Sequence, residues 1–114
     1  MRTRDAIRQA KKDGREAGIN AASWCYDGNT NPEWYAKVLR GIENGDPEIL
    51  DGFRTPNLSG EMADDPTPRS LAEDYGIGED RSDVLDEICS AWEDAASMAF
   101  WDEIERICRS YVAA

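Results

Sequence analysis

Residues 79–114 read EDRSDVLDEICSAWEDAASMAFWDEIERICRSYVAA, with no glycine and no proline. Val84, Leu85, Ile88, Trp92, Ala95 and Ala99 recur at threes and fours, the spacing of one face of an α-helix. Phe100, Ile104, Ile107 and Tyr111 continue the pattern with a shifted phase. The stretch predicts one helix of about 30 residues, roughly 45 Å long, capped by Asp80 or Ser82. The phase shift predicts a bend or break near Ser97. A helix of this length in a chain of 114 residues is the spine on which everything else must pack.

The residues before it read as shorter helices. Thr3 and Gly18 bracket a first helix over about Arg4–Ala17, with a thin apolar stripe of Ala6, Ile7, Ala10 and Ala17. The segment from Asn20 to Tyr26 adds a short helical turn that buries Trp24. Asp27-Gly-Asn-Thr-Asn31 is a turn. Asn31 then caps a second helix with Pro32 at its first position. Trp34, Val38 and Ile42 share a face of that helix, Tyr35 and Leu39 flank it, and Asn44-Gly45 ends it. Asp46-Pro47 opens a short helix from Glu48 to Asp51, closed by Gly52. Residues 53–66, with Pro56, Gly60 and Pro66, read as a loop. Thr67-Pro68 starts a further helix through Tyr75, closed by Gly76. No segment alternates with period two, so the expected fold is all-α: a small single helical domain over 1–114, its short N-terminal helices packed on one long, bent C-terminal helix.

Composition narrows the function. The net charge is -11, from 13 basic and 24 acidic residues, and there is no histidine. That removes imidazole bases, histidine metal sites and Ser-His or Cys-His nucleophile pairs. Acidity argues against direct nucleic-acid binding, because phosphates repel such a surface. No apolar run approaches the length of a membrane span, and the basic N-terminus lacks the apolar core of a signal peptide. Cys25, Cys89 and Cys108 are odd in number and widely spaced, which reads as free, buried thiols of a cytosolic protein, here the cytosol of a host cell. Asp27-x-Asn29-x-Asn31 begins like a calcium loop, but Pro32 stands where glycine is required and Val38 where glutamate is required, so it reads as a turn and cap. Adjacent carboxylates are too many to mark one acid/base dyad, and no enzyme, metal or cofactor is expected. Trp34, Trp92 and Trp101 sit among apolar residues at helical spacing and read as core.

The charge is unevenly spread. Residues 1–16 carry Arg2, Arg4, Arg8, Lys11, Lys12 and Arg15, for a net of +3, whereas residues 61–105 carry 15 acids against Arg69 and Arg81 alone. Carboxylates three, four or seven apart on a helix stand roughly 5–11 Å apart along a rod. DNA phosphates are spaced on a similar scale, so such a rod can enter a cationic DNA-binding groove. Composition alone also fits, and more readily, an acidic protein whose charge merely keeps it dissolved. In the mimic reading the expected phosphate mimics are Asp83, Asp86, Glu87, Glu93, Asp94, Asp102, Glu103 and Glu105, with Asp64, Asp65, Glu73, Asp74, Glu79 and Asp80 extending the track. Trp92, Phe100, Ile104 and Ile107 would hold the rod from behind.

Two resemblances bear on this reading. The strings Asn20-Ala-Ala-Ser-Trp24, Asp27-Gly-Asn-Thr30, Gly45-Asp-Pro-Glu48, Pro56-Asn-Leu-Ser-Gly-Glu61, Ala63-Asp-Asp-Pro-Thr-Pro68 and Phe100-Trp-Asp-Glu-Ile-Glu-Arg106 resemble small acidic proteins carried by actinobacterial phages and plasmids. That resemblance implies a mobile-element accessory protein, and the excess of Arg over Lys fits a GC-rich source. The segment Asp83-Val-Leu, Trp92, Phe100-Trp-Asp-Glu-Ile-Glu105 and Tyr111-Val112 is similar to the long C-terminal helix of the T7-type Ocr antirestriction family. Those proteins are small, acidic, all-helical homodimers that mimic bent B-form DNA and block type I restriction enzymes. The resemblance implies a DNA-mimic inhibitor whose partner is a DNA-binding host protein, a restriction enzyme or CRISPR effector. Symmetry would double a short mimic, so the reading admits a homodimer. The basic N-terminal helix departs from that family, and its charges would have to point away from the mimic surface or bind acids of a partner subunit. The alternative is a helical adaptor that binds through a hydrophobic patch around Trp24, Tyr26 and Phe53, with its acids merely solvated.

Overall fold

The computed structural model describes residues 2–25, 32–53, 55–58, 66–78 and 80–113, with the backbone alone for residues 24, 25 and 113. The elements are α1 (Thr3–Cys25), α2 (Pro32–Asn44), α3 (Pro47–Leu50), α4 (Pro68–Tyr75) and α5 (Ser82–Ala113). No strand occurs among the described residues. The molecule measures 51 × 25 × 23 Å. Its long dimension is that of α5, whose 32 residues rise about 48 Å.

Small residues decide how the two long helices meet. A Cβ on Gly14 would stand 2.2 Å from the Trp92 carbonyl oxygen, and one on Gly18 2.3 Å from that of Ala96. Both contacts advance by four residues in the same direction, so α1 and α5 run parallel. Each α1 residue is level with the α5 residue 78 positions later, as Arg81 and Thr3 also show, their side chains joined at 3.3 Å. The buried line of α1 is Ala6, Ala10, Gly14, Gly18 and Ala22, and that of α5 is Val84, Ile88, Trp92, Ala96, Phe100, Ile104 and Cys108. Both lines step by four. On a helix of 3.6 residues per turn a four-residue step drifts by about 40°, in the right-handed sense.

Two expectations are corrected by this geometry. The first helix does not stop at Ala17: it continues through Gly18 to Cys25 as one element. Gly18 keeps a negative φ and serves the close approach to α5 in place of a cap. The expected turn at Asn20–Tyr26 is, as far as Cys25, the last part of α1. The last helix is unbroken at Ser97. The shift in phase is the drift of a four-residue line, which the chain follows by covering the two halves of α5 with different elements.

Around the N-terminal half, α1, α4 and the segment at Leu58 close a core of Ala6, Ala10, Leu58, Leu71, Tyr75, Val84, Ile88, Trp92 and Ala96. Leu58 is buried although its segment has no regular structure. Around the C-terminal half, α2 lays Tyr35 and Val38 against Phe100, Ile104 and Cys108. Trp34, Phe53 and Trp101 edge that core, Phe53 meeting Phe100 at 6.3 Å and Trp101 at 5.7 Å between ring centres. Tyr75 donates a 2.6 Å hydrogen bond to Asp13, which ties α4 to α1.

The short helices follow their caps. The Thr67 hydroxyl accepts from the Ser70 backbone N–H, and the Ser70 hydroxyl accepts from that of Thr67, a reciprocal box that starts α4. Gly76, at φ 67, ends it in the left-handed conformation. The Asp46 carboxylate accepts from the Glu48 N–H and starts α3. Asn31, Asp27 and the rest of that predicted turn lie outside the described residues.

Candidate functional site

The acids of α5 divide by their distance from its buried line. Asp86, Asp94 and Asp102 each follow a buried residue by two positions and so lie about 200° from it, on the exposed side of α5. Asp83, Glu87 and Glu103 precede a buried residue by one and form one flank. Glu93 and Glu105 follow by one and form the other. Asp80, Asp83, Asp86, Glu87, Glu93, Asp94 and Asp102 are exposed and make no ion pair among the described residues.

Three of the expected mimics are neutralised. Glu103 is held by Arg106, whose Nε donates at 3.0 Å and whose second nitrogen makes a shorter contact. That hydrogen bond draws the Glu103 carboxyl below its ordinary range, against partial burial. Glu105 accepts from Arg109 at 2.6 Å, and Arg109 also reaches Glu43 of α2 at 3.3 Å. Glu73, on α4, lies 3.6 Å from Arg69. Asp74 is exposed on α4. Asp64, Asp65 and Glu79 lie outside the described residues. The ribbon is therefore narrower than the sequence implies. It runs from Asp83 to Asp102 as Asp83, Asp86, Glu87, Glu93, Asp94 and Asp102, over about 29 Å of helix. That is roughly 5 Å per charge, against about 3.4 Å for one strand of DNA.

Behind this ribbon Trp92, Phe100 and Ile104 are buried and Ile107 is half-buried, so they support it as expected. Cys108 is buried, and Cys89 is half-buried as a free thiol. Burial, then Glu93 and Asp86, push the Cys89 thiol above its ordinary range, which disfavours the reactive thiolate. The described residues include no group of three or more Cys, Asp or Glu placed to hold a metal ion. Among the described residues no helix is long and apolar enough to cross a membrane.

Sequence reasoning missed the groove beside the ribbon. It has a volume of about 630 Å³ and lies between α1 and α5. Ala91, Ala95 and Ala99 make its floor, with Ile19 on the α1 side and Met98, 69% exposed, on the other. Lys11 and Arg15 line one edge, and Asp94, Asp102, Glu103 and Arg106 the opposite edge. Lys11 and Arg15 therefore do not point away from the acids. The available signal was the four-residue spacing of small residues in α1, which allows a second helix to approach closely.

Compared with known protein families, curated proteins and solved structures, the chain matches none of them.

Proposed function

We propose that the protein is an acidic DNA mimic that occupies the cationic DNA-binding groove of another protein and so inhibits it. The observation that carries this reading is the row from Asp83 to Asp102, six exposed carboxylates with no arginine or lysine paired to them among the described residues. An unbroken helix backed by Trp92, Phe100 and Ile104 holds these charges at fixed spacing, so binding costs little ordering entropy. A cationic groove attracts them as it attracts phosphates, and long-range steering speeds the encounter. The proposed target is a restriction enzyme or CRISPR effector of a bacterial host, met by a phage or mobile-element product in the host cytosol. The reading asks for no catalysis.

The hydrophobic-adaptor reading rests on Trp24, Tyr26 and Phe53, of which the side chains of Trp24 and Tyr26 lie outside the described residues. Phe53, the one described residue of its patch with a placed side chain, is engaged by Trp34, Phe100 and Trp101.

The test is competition. Duplex DNA should displace the protein from its target, and affinity should fall steeply as salt rises. Binding insensitive to both removes the proposal.

A further inference from the structure

We infer that the groove between α1 and α5 receives an amphipathic helix of the inhibited protein, with basic side chains on one flank and acidic side chains on the other. Lys11 and Arg15 select the target through those acids. This rests on the proposed mimicry for the kind of partner and adds the choice among partners.

The groove is elongated. Along α5 its lining runs from Ala91 to Arg106, about 22 Å of helix or roughly four turns. Its floor of Ala91, Ala95 and Ala99 is made of small side chains, which let a second backbone approach closely. Met98, 69% exposed beside that floor, is an adaptable apolar contact. A long apolar trough with charged edges suits the apolar face of a helix.

The edges fix the charge of that helix. Arg4, Arg8, Lys11 and Arg15 are spaced by four, three and four, so they lie within about 60° of one another around α1. All four are exposed and make no ion pair among the described residues. Lys11 and Arg15 line the groove, and Arg4 and Arg8 continue the stripe beyond it. On the α5 edge Asp94 and Asp102 are exposed, while Glu103 and Arg106 satisfy each other. A helix lying between the two edges is held by its acids on the α1 side and by its bases on the α5 side. The bases that reach Asp94 and Asp102 are the target's own, so the ribbon stays unpaired until the target arrives. Acids that border a DNA-binding surface repel phosphates but are drawn to Lys11 and Arg15. That contact favours this protein over DNA and separates one cationic groove from another.

Fluorescence anisotropy of labelled synthetic peptides on the full chain tests this. The probe is a helical peptide of about 15 residues, the length of the groove, with leucines along one face, glutamates on one flank and lysines on the other. The comparison peptide carries lysines on both flanks. Attraction to the net charge of -11 by itself favours the comparison peptide, so a preference for the mixed one reports Lys11 and Arg15. At about 0.15 M salt, where long-range attraction is screened, the mixed peptide should bind at least about threefold tighter. Lys11→Glu with Arg15→Glu should weaken the mixed peptide about tenfold and invert the order. Met98→Lys, at an exposed position, should weaken both peptides while circular dichroism stays unchanged. Equal or tighter binding of the lysine-only peptide overturns the inference and leaves the mimic ribbon standing. So does a preference for the mixed peptide that survives Lys11→Glu with Arg15→Glu, or no binding of either peptide up to about 1 mM. Failure of duplex DNA to displace the target removes the ribbon reading in its turn, whatever the peptides do.

Discussion

Gly14→Ala should destabilise this protein, against the usual rule for helices. In an ordinary helix interior the change gains up to about 1 kcal/mol from helix propensity. Here the new Cβ would stand 2.2 Å from the Trp92 carbonyl oxygen and 3.0 Å from its carbon. These are backbone atoms of α5, and no rotamer can move them aside. To reach a normal contact of about 3.3 Å the two helices must part by roughly 1 Å. The parting is felt along the whole seam from Ala6 to Ala22, because close-packed interiors do not absorb it locally. Overpacking of this kind costs about 1–3 kcal/mol. Less the propensity gain, the net loss is about 1–2 kcal/mol, or roughly 5–10 °C in Tm. Gly18→Ala should behave alike, since its Cβ would lie 2.3 Å from the Ala96 oxygen. The double variant should lose less than the sum, because the first substitution has already opened the seam. Gly41→Ala is the contrast: the nearest atoms to its Cβ would be side-chain atoms of Ile49 at 2.5–2.6 Å, and relief requires the four-residue α3 to shift in place of α5. Urea unfolding followed by circular dichroism measures all four. A Gly14→Ala protein about 1 kcal/mol more stable than wild type would refute the close parallel pairing of α1 and α5.

Three further outcomes follow from particular contacts. Tyr75→Phe removes the 2.6 Å hydrogen bond to Asp13 and should cost about 1–2 kcal/mol in urea unfolding; no loss would mean that α4 is not tied to α1 there. Cys89 should react slowly with iodoacetamide at pH values where a free thiol reacts readily, because burial and the carboxylates of Glu93 and Asp86 raise its pKa; its rate should climb only above the ordinary thiol range, and a rate equal to that of a free thiol would contradict its placement. Finally, the net charge of -11 makes the folded chain repel itself, so moderate salt should raise Tm by a few degrees; a fall would mean that ion pairs, not repulsion, dominate the surface.

Much of this fold was readable in local chemistry. Thr67, Gly76, Asp46 and Gly45 mark the ends of helices by caps and turns, and α2, α3 and α4 fall where those residues put them. The pairing of Glu103 with Arg106 and of Glu105 with Arg109 follows from spacings of three and four. What local pattern hid was long-range. Gly18 has the form of a helix end, and only the Ala96 carbonyl against it reveals it as a contact. The phase shift near Ser97 has the form of a break, and only the elements that cover the two halves of the continuous α5 give it another cause, the drift of a four-residue line. The acids were visible as a helical row, but their division into an outward line and two flanks depended on where the buried line ran. The groove was invisible for the same reason, since its two edges lie 78 residues apart in sequence.

The central claim is that the unpaired acids of α5 bind a DNA-handling protein in the place of phosphates. The most direct measurement is affinity capture from a bacterial lysate with the wild-type protein and, in parallel, with a variant reversed in charge at Asp86 and Glu93 by Asp86→Lys and Glu93→Lys. The account predicts that the wild type retains a DNA-binding protein, that duplex DNA releases it, and that the variant retains none. Equal capture by both proteins, unaffected by DNA, would contradict it.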